Sequence, residues 1–136
     1  MQEIVAHWEA LRDGDALPNA ALIDPLNLRK HLGNLFMVRV GEEGQEFVYS
    51  LIGTRIAEIL ARDSTGLRVE QTFPEGHPAL DLYRLIYRER RPVRTHGRLN
   101  WVNKDYKSFE SVMLPLVDDT GQVVKMLGAA LYFAGQ

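Results

Sequence analysis

The sequence has no cysteine, which excludes disulfides, thiolate metal sites, thiol catalysis and cysteine-linked chromophores. No apolar run approaches the roughly 20 residues that a membrane-spanning helix needs, and the first residues lack the basic and apolar regions of a secretory signal. The 16 Lys and Arg residues do not outnumber the 18 Asp and Glu residues, and the formal net charge is -2. Because nucleic-acid binding usually needs a basic balance, we predict that the protein binds no nucleic acid. Because it lacks a secretory signal and a membrane-spanning run, we predict that it is cytoplasmic and binds no membrane.

Motifs that carry catalysis are missing as well. The sequence contains no Gly-x-Ser-x-Gly elbow, no His-Glu-x-x-His, no phosphate-binding loop and no dinucleotide-binding glycine pattern. The adjacent acids Asp118 and Asp119 fall in a predicted hairpin turn, where aspartate is favoured for its turn chemistry. A small cavity enzyme would need an acid and a base pointing into its pocket, and we find no candidate. We therefore predict no enzyme activity, no catalytic residues and no metal ligands, and we identify no cofactor.

The residues that are present have the composition of an ordinary globular domain. The 136 residues are 46% hydrophobic and 25% charged, which supplies one core and argues against disorder. Apolar runs and alternation predict strands at 35–40, 47–54, 93–102, 108–117 and 122–133. Helical spacing predicts a short N-terminal helix, a segment opened by Asp24-Pro25, a helix over 56–60 and a long helix between Pro78 and Pro92.

This order of elements predicts an α+β fold. Two strands, a helical crossover and a three-stranded meander form a five-stranded antiparallel sheet, with helices on one face and an extra N-terminal helix. We place an N-terminal helical extension at residues 1–33 and the core at residues 34–136, together as one domain.

The N-terminal helix carries an apolar stripe, which consists of Ile4, Val5, Trp8 and Leu11. A helix of this kind must bury its stripe, either on its own domain or on a partner. The sequence leaves both possibilities open, so the stripe is a candidate dimer or partner surface.

Candidate ligand-binding residues come from large side chains on the predicted strands: Tyr49, Leu99, Trp101, Met113, Met126 and Tyr132. Leu99 and Trp101 alternate with polar residues, which places both side chains on the inner face of the sheet. The other four lie on strands that are apolar on both faces, where the sequence does not fix the register. A pocket that these side chains fill remains an alternative to an open one.

A group of arginines surrounds the end of the long helix and the strand that follows: Arg88, Arg91, Arg94 and Arg98. A helix dipole favours cations near its C-terminus, so a solvated face explains these residues. The alternative is an anion-binding or partner-binding patch. Both interpretations stay open.

The order and spacing of several short motifs resemble a known family. The early part of the resemblance consists of Trp8, Leu17-Pro18 and Asp24-Pro25 before Leu26, Leu28 and Leu32. Its middle part consists of Tyr49-Ser50-Leu51-Ile52-Gly53-Thr54, Thr65-Gly66 and Pro92. Its late part consists of Leu114-Pro115-Leu116 and Leu127-Gly128. Over almost its whole length the chain resembles a PAS domain, and it is similar to a subfamily of short bacterial PAS-like proteins.

The resemblance implies a sensory or signalling module with a ligand-sized space between the sheet and its helices. It further implies a homodimer that signals to a separate protein by protein–protein contact. The alternative is a ligand-free dimeric scaffold or localisation module. Ser50 stands where the subfamily has a basic residue, so no role of that side chain is carried over.

The resemblance also raises two cofactors, neither of which the sequence selects. PAS proteins that bind haem commonly use a histidine on the long helix, and among the four histidines only His77 lies near it. A non-covalent flavin would need an aromatic side chain such as Trp101, Tyr49 or Tyr132 to stack on its ring.

Overall fold

The computed structural model describes residues 1–99 and 108–134. The α-helices of this part are α1 (Gln2–Ala10), α2 (Thr54–Leu60), α3 (Val69–Thr72) and α4 (Ala79–Glu89). The strands are β1 (Leu35–Gly41), β2 (Glu46–Ile52), β3 (Val93–Arg98), β4 (Ser108–Val117) and β5 (Val123–Phe133). Short 3-10 segments occupy Ala20–Leu22, Pro25–Asn34 and Glu42–Gly44.

The strands of the described residues form one antiparallel sheet in the order β2-β1-β5-β4-β3. β5 lies in the middle of this sheet, where Leu127 is paired with Met37 of β1 and with Leu114 of β4. The last strand in sequence therefore joins the β1–β2 pair to the β3–β4 pair. The predicted α+β class and the five-stranded antiparallel sheet are confirmed.

α4 shows how the sequence sets a helix against this sheet. Ala79, Tyr83 and Ile86 are buried at helical spacing, and they form the side that faces the core. Arg90 adopts a left-handed conformation with φ 58°, which ends the helix two positions before Pro92. No helix in residues 1–99 or 108–134 combines the length and the hydrophobicity that crossing a membrane requires.

Both faces of the sheet are covered. Every residue of β4 from Ser111 to Val117 is buried, and successive side chains of a strand point to opposite faces. Helices α2 to α4 lie on one face. The N-terminal part contributes other members of the same hydrophobic core: Ile4, Trp8, Leu17, Ile23 and Leu28. We infer that the N-terminal extension supplies the cover of the second face.

Trp8 also makes a specific contact with the edge of β4. β3 is paired with β4 only as far as Met113, so the strand edge beyond that residue needs other partners. The indole Nε1 of Trp8 donates a hydrogen bond to the carbonyl oxygen of Pro115 at 2.9 Å, and Val117 N donates to the Pro18 carbonyl oxygen at 2.9 Å. The N-terminal segment therefore occupies the place that a longer β3 would have taken.

Two glycines allow parts of the chain to approach closely. A Cβ on Gly128 would lie 2.1 Å from Cζ of Phe36, whose ring crosses the middle of β5. A Cβ on Gly53 would lie 2.3 Å from the carbonyl oxygen of Leu32. A larger residue would displace the Phe36 ring at Gly128, and it would force the chain before α2 away from the backbone of the Pro25–Asn34 segment at Gly53.

Candidate functional site

A cavity of about 210 Å³ lies between the sheet and helices α2 to α4. The sheet contributes Met113 and Ala130 to its lining, and the helices contribute Ile56, Leu82 and Tyr83. Ala130 presents only a methyl group at this point of β5, so the sheet leaves space that the helices do not fill. The result is a partly open cavity with mostly apolar walls.

Two tyrosine hydroxyls meet at this cavity. The hydroxyl of Tyr49, from β2, lies 3.0 Å from the hydroxyl of Tyr83, from α4, and the two form a buried hydrogen bond between sheet and helix. The Tyr49 ring also packs edge-on against Phe36 and Phe73, at centroid distances of 6.0 and 6.5 Å. Burial raises the pKa of both tyrosines well above the ordinary value, so both hydroxyls stay protonated at neutral pH.

Hydroxyl groups from the sheet add to the polar part of the lining, which also contains the imidazoles of His77 and His96. Thr95 and Ser111 are hydrogen-bonded through their hydroxyls across the β3–β4 pair, and burial raises the pKa of Tyr132 to about 12. The described residues that line the cavity include no Asp, Glu, Lys or Arg. The cavity therefore combines hydroxyl groups with apolar walls.

His77 lies at the cavity wall beside the start of α4. Its ring stacks on Phe73 at a centroid distance of 4.2 Å, and its Nδ1 accepts a hydrogen bond from Ala79 N at 3.1 Å. Burial lowers the pKa of His77, which favours the neutral ring. In the part of the chain that the structure covers, no three His, Asp or Glu residues are grouped to hold a metal ion.

The predicted pocket residues separate into three groups. Those that line the cavity are Tyr49, Leu99, Met113 and Tyr132. Met126 does not line it: its side chain is 0% exposed, and its backbone is paired with β1 and with β4 in the part of the sheet away from the cavity. On a strand that is apolar on both faces, a large side chain can fill the core instead of facing open space. Trp101 lies outside the described residues.

The helical side of the cavity was missed by the sequence reasoning. Tyr83, Phe73 and His77 all line the cavity, and of these the sequence indicated only His77, as the histidine near the long helix. The helical spacing of Tyr83 with Ala79 and Ile86 is the signal that marks it as buried. A buried tyrosine usually finds a partner for its hydroxyl. That rule predicts a polar contact for Tyr83, but it does not identify Tyr49 as the partner.

The stripe of α1 packs within its own domain. Ile4 and Trp8 are 1% and 0% exposed, and Val5 and Leu11 are partly buried against the same core. The Arg12 guanidinium carbon lies 5.0 Å from the centroid of the Trp8 ring. Ile4 and Trp8 therefore present no surface to a partner in this structure.

The arginine group lies on the surface around the end of α4 and along β3. Arg88 lies 3.5 Å from a carboxylate oxygen of Glu89. Arg91, Arg94 and Arg98 are exposed and form no ion pair with any residue in 1–99 or 108–134. Arg94 and Arg98 lie on β3, which is at one edge of the described sheet. The structure thus places exposed cations along a sheet edge.

A family model described as a PAS domain matches residues 1–131. The chain belongs to the PAS domain family. The predicted family is therefore confirmed, and its function class is that of a sensory or signalling module. PAS domains are typically sensory rather than catalytic, and they commonly mediate protein–protein interaction and dimerisation.

The fold of this PAS domain is also found among solved structures. It is similar to a sensory box sensor histidine kinase from Vibrio cholerae, with a TM-score of 0.58 and 13% sequence identity over 82% of this chain and 90% of that chain. At this level of identity the similarity shows the fold alone. No curated protein matches the chain.

Proposed function

We propose that this PAS domain is a sensor of a small molecule that occupies the cavity between the sheet and helices α2 to α4. The observation that carries the proposal is the cavity itself, of about 210 Å³. Protein interiors rarely keep voids larger than a water molecule, and an apolar cavity of about 150 Å³ is sufficient to hold benzene. Apolar walls with a few converging polar groups are typical of ligand sites.

The hydrogen bond between Tyr49 and Tyr83 links ligand binding to the packing of α4. A ligand that competes for this bond changes how firmly α4 is held against β2. Such a ligand shifts the population between two packings of the helix on the sheet. The C-terminal end of α4 leads directly to the arginine group, so this shift reaches an exposed surface. The role is signalling, without catalysis.

The test is to identify what purified protein carries. Gently purified protein is denatured, and the released small molecules are analysed by mass spectrometry for the wild type, Ala130→Leu and Ala134→Leu. Ala130 lines the cavity and Ala134 is exposed beyond β5, so the two variants make the same change inside and outside the site. We expect a molecule in near-equal amount to the protein in the wild type and Ala134→Leu, and its loss from Ala130→Leu.

A wild type that carries no small molecule, and takes up none from a cell extract, would contradict the proposal. That outcome would favour the ligand-free scaffold, in which the domain acts through protein contact alone.

We also propose that the domain forms a homodimer and contacts a separate signalling protein through Arg91, Arg94 and Arg98. Native mass spectrometry distinguishes a monomer of 15.5 kDa from a species of twice that mass. An Arg94→Glu/Arg98→Glu variant should keep its fold, because both side chains are exposed, and should lose signalling output in cells. Unchanged output would exclude the patch as the partner surface. A location in the cytoplasm stays a prediction from the sequence, which cell fractionation tests.

A further inference from the structure

We propose that the ligand is a compact, uncharged molecule whose carbonyl or ether oxygen accepts a hydrogen bond from the Tyr49–Tyr83 hydroxyl pair. This inference rests on the proposed sensory function and specifies the chemistry of the ligand. It follows from the number of protons at the hydroxyl pair, from the charges of the lining and from the size of the cavity.

The first argument is the number of protons at the hydroxyl pair. The two hydroxyl oxygens lie 3.0 Å apart and share one hydrogen bond, in which one tyrosine donates and the other accepts. The accepting tyrosine keeps its own proton, and among the described residues no other hydrogen bond is formed by either hydroxyl. A buried donor without an acceptor is unfavourable. An oxygen atom of a ligand in the cavity would satisfy it.

The second argument is the absence of acidic and strongly basic side chains from the described lining, whose titratable residues besides the tyrosines are His77 and His96. Its residues include no carboxylate, ammonium or guanidinium group. The hydroxyls of Tyr49 and Tyr83 remain protonated, and burial favours the neutral form of His77. A carboxylate or an amine cation would therefore be buried without an opposite charge, which is costly. The cavity favours a neutral molecule.

The third argument is the size of the cavity and the nature of its walls. A volume of about 210 Å³ exceeds the space that holds benzene but is smaller than a typical drug-sized pocket of about 300–1,000 Å³. The rings of Phe36 and Phe73 and the side chains of Ile56 and Met113 form apolar surface around the tyrosine pair. One substituted ring, or an aliphatic molecule of similar size, matches this space.

The experiment compares three probes of nearly equal size: ethylbenzene, acetophenone and benzoate. Ethylbenzene lacks a hydrogen-bond acceptor, acetophenone carries a neutral carbonyl and benzoate carries a charge. Affinities are measured by calorimetry, and NMR shifts of the methyl groups of Met113 and Ile56 locate binding in the cavity. We expect acetophenone to bind about 2- to 10-fold more tightly than ethylbenzene, which is the range for one hydrogen bond. Benzoate should bind most weakly.

The decisive variant is Tyr49→Phe/Tyr83→Phe. It removes both partners of one hydrogen bond and keeps the ring shapes, a change that is usually close to neutral for stability. In this variant acetophenone and ethylbenzene should bind equally. Tyr87→Phe is the matched control, because Tyr87 lies on α4 and its hydroxyl accepts from Gln122 outside the cavity. This control should keep the preference for acetophenone.

The possible results separate the two proposals. If ethylbenzene equals acetophenone in the wild type, if benzoate binds best, or if the double variant keeps the preference, the inference about ligand chemistry is wrong and the sensory cavity stands. If no probe shifts the methyl signals of Met113 and Ile56, the cavity does not admit a compact molecule of this kind and the inference is wrong, whereas the proposed function is decided by whether purified protein carries a small molecule.

Discussion

Replacing Trp8 tests the inference that the N-terminal segment is part of the core of this PAS domain. The side chain is 0% exposed and its Nε1 donates to the Pro115 carbonyl oxygen at 2.9 Å. Trp8→Ala removes the ring and leaves a cavity, which typically costs about 3–5 kcal/mol of the free energy of unfolding. Trp8→Phe keeps most of the apolar contact but leaves the Pro115 carbonyl without its donor, which should cost about 1–3 kcal/mol. A domain is usually stable by only about 5–15 kcal/mol in total.

The assay is urea unfolding followed by circular dichroism, with the free energy of unfolding extrapolated to water. Leu26→Ala is the control in the same segment, since Leu26 is 70% exposed and its replacement should change stability by no more than about 0.5 kcal/mol. Native mass spectrometry of the same samples reports whether the change affects association. The expected order of stability is wild type equal to Leu26→Ala, then Trp8→Phe, then Trp8→Ala.

A Trp8→Ala variant as stable as Leu26→Ala would refute the packing of α1 on its own domain. If that variant kept its stability but lost a dimer, the stripe would instead be a subunit contact.

Further predictions concern two glycines and one histidine. Gly128→Ala should cost about 1–3 kcal/mol by overpacking, and it should weaken binding of ethylbenzene because it pushes the Phe36 ring toward the cavity. Gly53→Ala should cost more, because its Cβ would meet the Leu32 backbone oxygen, which cannot rotate away; a smaller loss than at Gly128 in the same urea assay would contradict this. Burial lowers the pKa of His77 in the folded protein, so the unfolded state binds a proton at this residue more readily than the folded state does. The stability that depends on the neutral His77 ring is therefore fully present above the unfolded pKa of about 6.5 and is lost as the pH falls through the folded pKa. His77→Gln should flatten this part of the curve of stability against pH, and an unchanged slope would show that His77 is not the titrating group.

Much of the fold is predictable because strand and helix patterns are local. β3 alternates apolar and polar residues, and the Asp118–Gly121 turn separates two apolar runs, so both features can be found without knowing what lies nearby in space. The long helix is likewise predictable from the spacing of Ala79, Tyr83 and Ile86. These signals are sufficient for the five strands and for the α+β class.

The cavity is less predictable because it depends on contacts between distant residues. The sequence identifies Tyr49 as a pocket candidate, but its partner is 34 positions away on α4. Met126 and Met113 are equivalent in the sequence, both on apolar strands, and only the packing of the helices decides that Met113 lines the cavity. For Trp8 the sequence left two options open, because its partner is a backbone carbonyl, which carries no signal in the residue type.

The central position of β5 affects how the domain can form during protein synthesis. A ribosome adds about 5–20 residues per second, so β1 to β4 are all synthesised before residues 123–133, which join them into one sheet. Until then β1 and β4 each expose an unpaired strand edge of the kind that promotes aggregation. The Trp8 indole also lacks its hydrogen-bond acceptor for most of synthesis, because Pro115 lies 107 positions later in the chain. The nascent chain therefore cannot close its sheet, or complete the contacts of its first helix, until residues 115 and 123–133 have been added.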